Sequence, residues 1–384
     1  MAAPDTADGA AKMRLLDAER LVALKQRVAK EVREGFLPAT QFAVGLDGAV
    51  VAHESFGTAD NDTRFYGFSC HKAITNAAVW ALAAQGQVDF EKPVMAYLDD
   101  FGTHGKDAIT VEQLLLLTAG IAEAQVDPAV AQTAAGRRAT FRDWVPETVP
   151  GTHFAYHAVS AHWVLAEIIQ TVTGRHYAEA IHDLVTAPLG LRRTLGLPES
   201  DTGPFALPVV VSEPASPEEL AVHFTGVAPQ PLFSAAVFDE MRSPRWRALG
   251  IPGGGGLMTA ADLATLYQAF LHDPQQQWEG VLEDCTRVVR NTFPHPWWGV
   301  PANRTRGMNV AGDDGHGPKR NLGNLTAPAT FGTAGAFGQL SWADPASGIS
   351  FAYLTSGLDL HEPRLYARCQ EISDLAARLL TPAS

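Results

Sequence analysis

Cysteine and positive charge are both scarce in this sequence. Among its 384 residues there are 3 cysteines, too few and too scattered for a disulfide framework or a paired-cysteine metal site. The 29 Lys and Arg are outnumbered by 42 Asp and Glu, and the net charge of -13 argues against nucleic acid or an acidic membrane face as a partner. No window approaches the roughly 18 consecutive apolar residues of a membrane span. The first residues also lack the basic and apolar segments of a secretory signal, so we expect a soluble, cytoplasmic protein.

Segments with strand character cluster at the two ends of the chain. Near the start, "QFAVGL" and "AVVAHESFG" flank Asp47-Gly48, a pair that favours a tight hairpin. Near the end, "GQLSWA" and "GISFAYLTS" flank the turn-forming "DPAS". Apolar residues at helical spacing predict helices over residues 13–34, 69–85, 111–117, 160–173, 177–185, 260–271 and 362–380.

This distribution predicts an α+β fold. An antiparallel sheet formed by both chain ends would carry helices on its faces, with a mostly helical region inserted between them. We expect residues 1–68 and 325–384 to form the sheet region, and residues 69–324 to form the helical region, whose loops shape a cleft. The proline-containing stretch 291–335 is predicted to be loop-rich and to help shape the site.

A serine and a lysine lie three residues apart where the helix over 69–85 should begin. In "GFSCHKAIT", Ser69 could be no more than the helix N-cap. Lys72 falls on the same helix face, however, so its amine can reach the serine hydroxyl. A serine hydroxyl becomes a good nucleophile when a neighbouring base takes its proton, and burial together with the helix N-terminus can depress a lysine pKa enough for that. The backbone N–H groups there could also bind an oxyanion.

Other reactive residues near the pair have simpler interpretations. Cys70 and His71 are turned away from the shared face, so we interpret Cys70 as a buried, inert thiol and His71 as structural. His153 and His157 are four residues apart but have no carboxylate partner, and we expect no metal. "PGGGG" lacks the ending of a phosphate loop and is interpreted as a tight turn before a helix.

The blocks around these residues resemble the serine β-lactamase-like superfamily, which includes class C β-lactamases, penicillin-binding proteins, D-amino-acid-releasing peptidases, esterases and acyltransferases. The resemblance covers residues 41–357. It runs through "GFSCHKAITNAAVWALAAQGQ", "ITVEQLLLLTAGI", "FAYHAVSAHWVLAEIIQTVTG", "IPGGGGLMTAADLATLYQAF" and "FGTAGAFGQLSWADPASGISFAYLTS".

The resemblance implies specific roles. Ser69 would be the acyl-forming nucleophile, Lys72 its base, and Tyr156 the second-motif tyrosine that passes the proton to the leaving group. The backbone N–H groups of Ser69 and Ala336 would form the oxyanion hole. Four further residues are candidate substrate contacts: His157, Trp298, Thr333 and Gly335. Trp297 and Trp298, together with Phe293, could line the acyl or alcohol pocket, and are equally compatible with a place in the core.

Two positions depart from the motifs. Ala158 replaces the asparagine of class C enzymes, and Thr333 replaces the usual third-motif cation. Both changes favour an ester or thioester without a carboxylate in that place. The resemblance therefore implies a carboxylesterase-like serine hydrolase without a cofactor, acting on a small-molecule ester or thioester. The alternatives are an acyltransferase with an alcohol, amine or carrier-protein acceptor, a β-lactamase or D-aminopeptidase, and a non-catalytic binding protein.

Overall fold

The computed structural model describes residues 15–229 and 235–380 of the chain. The α-helices are α1 (Ala18–Val28), α2 (Lys30–Arg33), α3 (Lys72–Ala84), α4 (Val111–Leu116), α5 (Ala134–Asp143), α6 (Ser160–Thr173), α7 (Tyr177–Ile181), α8 (Pro217–His223), α9 (Ala235–Glu240), α10 (Pro244–Leu249), α11 (Ala260–His272), α12 (Leu282–Thr286) and α13 (Glu362–Ala377). The strands are β1 (Ala39–Leu46), β2 (Ala49–Gly57), β3 (Arg64–Tyr66), β4 (Phe205–Ala206), β5 (Val209–Val210), β6 (Leu257–Met258), β7 (Asn309–Val310), β8 (Phe331–Gly335), β9 (Gln339–Asp344), β10 (Ile349–Thr355) and β11 (Gly357–Leu358).

A six-stranded antiparallel sheet is formed by the two ends of the chain. Its order is β2-β1-β10-β9-β8-β7, so β1 pairs with β2 on one side and with β10, the last long strand, on the other, where Val44 lies opposite Phe351. The predicted α+β class and the antiparallel sheet from both termini are confirmed. Asp47 and Gly48, both at positive φ, close the first hairpin as their sequence predicted.

The sheet is covered by helices on both faces, because successive residues of a strand point to opposite sides. Phe42 and Val44 belong to the apolar cluster beneath α1 and α13. Ala43, between them, belongs to the larger cluster that includes α3, α6 and α11. The helix α11 packs directly on β1, β9 and β10. The sheet layer therefore draws on a helix from within residues 69–324, the segment predicted to form the helical region.

The helix α3 lies in the centre of the larger cluster, with every residue from Lys72 to Leu82 buried. The indole of Trp278 donates to the carbonyl of Ala77 at 2.8 Å, and that of Trp80 donates to the carbonyl of Arg306 at 2.9 Å. Packing on all sides holds this helix in place, so the groups at its N-terminus are fixed relative to the sheet.

Two predicted segments differ in detail. The helix predicted over residues 13–34 is divided at Ala29 into α1 and α2, and residues 13 and 14 lie outside the described residues. The stretch 291–335 is largely loop, as predicted, but it contributes β7 and β8 to the sheet. None of the helices in residues 15–229 and 235–380 is long and apolar enough to span a membrane.

Candidate active site

Ser69 lies in a single 3-10 turn, Phe68–His71, that leads directly into α3. Phe68, the residue before it, has a φ of 44°, a left-handed conformation that is unfavourable for a bulky side chain and is held by its surroundings. The Phe68 ring packs edge-on against Phe337 at 5.1 Å and lies 6.0 Å from Tyr66. This packed, strained turn presents Ser69 half-exposed at the end of a buried helix.

Ser69 is contacted by the two side chains that the motifs indicated. The Lys72 Nζ lies 3.2 Å from Ser69 Oγ, and the Tyr156 hydroxyl donates to the same oxygen at 2.7 Å. The Lys72 Nζ also lies 5.5 Å from the centre of the Tyr156 ring. Three chemically complementary groups therefore converge on one oxygen, although Tyr156 is 87 residues from Ser69 along the chain.

Two backbone carbonyls orient the amine of Lys72. Its Nζ donates to the oxygens of Ala158 and Gly253, each at 2.6 Å. A neutral amine has two N–H bonds, and if both point at these carbonyls, the lone pair is left for the proton of Ser69. Burial, and secondly the charge of Arg304, lower the pKa of Lys72 to about 7. Near neutral pH a large fraction of Lys72 is thus free to act as a base.

Tyr156 is half-buried and remains a neutral phenol at neutral pH. Burial raises its pKa, while the hydrogen bond to Ser69 and the charge of Arg304 act in the opposite direction. A neutral phenol that already donates to the serine oxygen is placed to donate to an atom that leaves from the same region.

The glycine-rich segment before β6 is part of the site, a role that its sequence did not reveal. The carbonyl of Gly253 accepts from Lys72, and a Cβ at Gly253 would lie 3.1 Å from the carbonyl of Ala158 and 3.3 Å from the amine. The side chains of His71 and Thr75 both contact the carbonyl of Pro252. The segment is more than a turn before α11, since it brings a backbone acceptor to the base.

The β8 strand approaches the serine turn closely. A Cβ on Gly335 would lie 2.4 Å from the carbonyl of Gly67, a distance that real Cβ atoms do not tolerate. The absence of a side chain at Gly335 lets β8, and the turn Ala336–Gly338 that follows it, lie against the turn that carries Ser69. Gly335 has an extended backbone with φ of -104°, so close approach, not backbone freedom, explains this glycine.

Thr333 does not line the cleft as a substrate contact. Its side chain is buried, with its hydroxyl 3.1 Å from that of Tyr267 and 3.3 Å from that of Ser341. The backbone N–H of Thr333 donates to the same tyrosine oxygen at 3.0 Å. The position that carries a cation in the related motif is here occupied by a neutral hydrogen-bond network inside the protein.

His157 is fully buried and both its ring nitrogens are engaged. The backbone N–H of Ile121 donates to Nε2 at 3.1 Å, which leaves Nδ1 as the donor to the carbonyl of Ala155 at 2.7 Å. Burial lowers the pKa of His157 to about 4, so the ring is neutral. Its contacts fix the segment that carries Tyr156, and the structure gives no support to the expectation that it touches substrate.

The tryptophan beside Tyr156 is Trp297, whose ring lies 6.0 Å from the tyrosine ring. Trp298, the predicted contact, is buried instead in an aromatic cluster against which Trp297 also packs, and lies 4.6 Å from Phe224 and 5.4 Å from Tyr366. The sequence alone did not distinguish the two tryptophans, because both indoles are compatible with either the pocket or the core.

The predicted burial of Cys70 is confirmed, and His71 is buried as well. Cys70 is fully buried, with its Sγ 3.6 Å from the carbonyl of Thr333, and burial raises the pKa of its thiol to about 12. His71 is fully buried between the carbonyl of Pro252 and the hydroxyl of Thr194, and burial lowers its pKa to about 4. Cys70 is thus held as a neutral thiol, and both ring nitrogens of His71 are engaged by groups other than Ser69.

Arg304 is a further charged group of the site that the motifs did not indicate. It is 5 % exposed, and its charge acts on both Lys72 and Tyr156. It lies in the loop-rich stretch, where sequence alone gives no reason to single out one arginine. Within the described part of the chain, no group of three or more His, Cys, Asp or Glu side chains is arranged to hold a metal ion.

The comparisons with known proteins agree with this architecture. The family model described as beta-lactamase matches residues 24–371. The chain is similar to a Mycobacterium tuberculosis protein named esterase/beta-lactamase LipL, with 26% identity over 350 residues that cover 82% of this chain and 76% of that protein. Among solved structures, a penicillin-binding protein homologue from Caulobacter crescentus superimposes with a TM-score of 0.73 at 23% identity, covering 95% of this chain and 99% of the other. A family VIII carboxylesterase superimposes with a TM-score of 0.71 at 22% identity, covering 94% and 99%.

Proposed function

This chain belongs to the beta-lactamase family, and from that premise we propose that it is a serine-dependent acyl hydrolase that cleaves an ester or thioester through an acyl-enzyme on Ser69. The observation that carries the proposal is the convergence of Lys72 and Tyr156 on Ser69 Oγ, at 3.2 and 2.7 Å. The names of the Mycobacterium tuberculosis relative and of the family VIII carboxylesterase support ester chemistry.

In the first half-reaction, the neutral amine of Lys72 takes the hydroxyl proton as Ser69 Oγ attacks the carbonyl carbon. The carbonyl oxygen gains the negative charge, and the backbone N–H groups of Ser69 and Ala336 would stabilise it. When the tetrahedral intermediate collapses, Tyr156 gives its proton to the departing oxygen or sulfur and regains one from Lys72. The serine then carries the acyl group, and the alcohol or thiol leaves.

The second half-reaction reverses the proton path. Water enters beside the acyl-enzyme and loses a proton to the amine of Lys72, directly or through Tyr156, as its oxygen attacks the acyl carbon. Collapse of this second intermediate returns the proton to Ser69 Oγ and releases the carboxylic acid. Lys72 and Tyr156 thus act as base and acid in alternation.

The third-motif position favours an ester over a β-lactam or a D-alanyl peptide. Thr333 is neutral and its hydroxyl is turned into the protein towards Tyr267, so no lysine or histidine from β8 faces the cleft at that position. A chromogenic cephalosporin that is turned over as fast as a simple ester would contradict this preference.

Acyl transfer is the second candidate, favoured by the indole of Trp297 beside Tyr156. An apolar surface next to the tyrosine that moves the proton disfavours water relative to an alcohol with an apolar part. The ratio of hydrolysis to transfer, measured on one ester with and without added alcohol, separates the two activities. If only the carboxylic acid forms at high alcohol concentration, acyl transfer is excluded.

The test of the nucleophile is intact-protein mass spectrometry after treatment with a fluorophosphonate probe. We expect one adduct on the wild type, none on Ser69→Ala, and an undiminished adduct on Cys70→Ala. Cys70 is the matched control because it is the next residue and is fully buried. No adduct on the wild type, or equal labelling of Ser69→Ala, would overturn the proposal. Tight ligand binding without labelling would instead indicate a binding protein.

A further inference from the structure

Buried arginines in this protein almost all have carboxylate partners. Of the described arginines, seven are buried. Five form ion pairs with Asp or Glu: Arg64, Arg137, Arg306, Arg320 and Arg368. Arg247 forms none, but its charge lowers the pKa of Asp201. These pairings are expected, since a guanidinium removed from water is stable only when its charge is compensated.

Arg304 is the exception among them. It has no ion pair in the described part of the chain, and its one recorded side-chain hydrogen bond goes from Nη1 to the amide oxygen of Asn309 at 2.5 Å. Its Nε is buried without any hydrogen-bond partner. A neutral amide satisfies one of the five N–H donors and compensates no charge. Burial lowers the pKa of Arg304 to about 10, which leaves it protonated at neutral pH.

The surroundings of Arg304 connect it to the catalytic cleft. Its Cζ lies 5.9 Å from the ring of Phe154, two residues before Tyr156. The Phe154 ring contacts His295 at 5.1 Å, and His295 lies 5.0 Å from Trp297, which in turn lies 6.0 Å from Tyr156. The arginine is therefore linked to Tyr156 through a continuous row of ring contacts.

The backbone of Arg304 is also tied to the sheet. It pairs with Asn291 on one side and with Asn309 of β7 on the other, and β7 pairs with β8 at Gly332. This places Arg304 two strands away from β8, the strand that carries the neutral Thr333. Packed backbone pairing on both sides fixes the base of a long cationic side chain next to the site.

The site therefore holds a basic amine, Lys72, and a permanent cation, Arg304, and neither forms an ion pair in residues 15–229 and 235–380. The protein as a whole has a net charge of -13, so this local positive charge runs against its average. A planar guanidinium with free N–H groups is the side chain best suited to bind a carboxylate.

On the basis of the proposed function, we propose that Arg304 is the specificity-determining residue that binds a carboxylate of the ester substrate, at a place different from the third-motif position on β8. The substrate class is an ester or thioester that carries a carboxylate a few bonds from the scissile carbonyl. The carboxylate belongs to the acyl part or to the leaving group, and the test below distinguishes these two sources.

The test compares three chromogenic esters of similar size. Para-nitrophenyl butyrate is neutral, mono-para-nitrophenyl glutarate carries a carboxylate on the acyl part, and carboxy-nitrophenyl butyrate carries one on the leaving group. We expect the wild type to prefer one of the two anionic esters over the neutral one in kcat/KM by roughly tenfold or more, the range of a hydrogen bond to a charged group. Arg304→Gln should lose this preference, and Arg304→Lys should retain part of it.

The ratio of kcat/KM between two esters separates carboxylate recognition by Arg304 from effects on the base, Lys72. Removing the Arg304 charge also changes the pKa of Lys72, but that change acts on all three esters alike. Arg290→Gln is the matched control, because Arg290 adjoins the same backbone pair but is exposed and bonded to Asp284. Melting temperatures identify a variant that fails to fold, in which case Arg304→Lys carries the comparison.

The inference is overturned if the wild type shows no preference for an anionic ester, or if Arg304→Gln shows the same preference. Turnover of the neutral ester in such a result leaves the proposed function intact. If no ester is hydrolysed, the proposed function fails, and calorimetry with glutarate on Ser69→Ala still tests the carboxylate site. We expect glutarate to bind at least tenfold more weakly when Arg304→Gln is added to Ser69→Ala. Equal affinity, or no binding to either protein, overturns the inference.

Discussion

The two sides of the cleft are built from different kinds of group. The helical side supplies side chains, since Ser69, Lys72 and Tyr156 meet there within hydrogen-bonding distance. The sheet side supplies backbone, since Gly335 has no side chain and that of Thr333 is turned into the protein. The helical side thus supplies the groups that transfer protons, and the sheet side sets the distance between β8 and the turn that carries Ser69.

This division explains the unusual source of positive charge. A β8 strand with a lysine or histidine would combine backbone and charge in one element, whereas here β8 contributes a neutral hydroxyl network with Tyr267 and Ser341. Charge comes instead from Arg304, on a loop segment two strands away. The two roles of one motif are divided between two parts of the chain.

The largest effect is expected on the helical side of the cleft, which supplies the catalytic side chains. Lys72→Ala removes the base that takes the serine proton, and turnover should fall between about 10²- and 10⁴-fold, as for other general bases. The measurement is kcat on a para-nitrophenyl ester at saturating substrate. Circular dichroism and the melting temperature serve as controls for folding. A rate near that of the wild type would contradict the role of Lys72.

The sheet side of the cleft is tested by Gly335→Ala. The extended backbone accepts alanine, but the new Cβ would lie 2.4 Å from the carbonyl of Gly67, so β8 must move away from the serine turn. We expect a loss of about 1–3 kcal/mol in the free energy of unfolding, as for other overpacked sites. Turnover should fall by up to about 10²-fold, because a shift near 1 Å misplaces the oxyanion donors.

Gly102→Ala is the control for that substitution. Gly102 has a φ of -70°, and a Cβ there would have no neighbour nearer than 3.4 Å. Normal turnover in Gly335→Ala would show that close approach of β8 is not needed for the reaction.

The pH dependence of kcat/KM sharpens the comparison between the Lys72 side and Arg304. Lys72 must be neutral to act, and its pKa is lowered to about 7, so activity should rise with pH through that value. The positive charge of Arg304 disfavours the protonated amine, and Arg304→Gln should therefore move the acid limb to higher pH. Profiles of Arg304→Gln and Arg290→Gln at constant ionic strength provide the measurement. An unchanged limb, or one moved to lower pH, contradicts the electrostatic coupling.

Local patterns were sufficient for much of the fold and for the centre of the site. The Asp47-Gly48 hairpin, the C-terminal hairpin and most helices follow from alternation, turn residues and helical spacing. The pairing of Ser69 with Lys72 follows from helix geometry, because three residues form one turn. Tyr156 required the motif order, since nothing local links it to a serine 87 residues away.

The residues that sequence reasoning missed act through long-range packing. The Gly253 carbonyl reaches Lys72 only because the segment before β6 folds over α3. Arg304 differs from most buried arginines in having no carboxylate partner within the described residues, and sequence does not reveal that difference. Trp298 and Thr333 were predicted to lie in the cleft, but their side chains are buried elsewhere. Sequence does not fix the direction of these side chains, which depends on the elements that pack around them.

Thr333→Val gives the smallest predicted effect and the most direct test of the sheet side. Valine has the shape of threonine but lacks the hydroxyl, so Tyr267 and Ser341 lose a shared partner in the protein interior. The free energy of unfolding should fall by about 1 kcal/mol, as for one buried hydrogen bond. Turnover should change little, because the hydroxyl contacts Tyr267, Ser341 and the carbonyl of Cys70 rather than the catalytic side chains. Denaturant unfolding and kinetics could instead show full stability and a loss of turnover as large as that of Lys72→Ala. In that case the hydroxyl would belong to the catalytic machinery, and the division of the cleft into a helical side of side chains and a sheet side of backbone would be wrong.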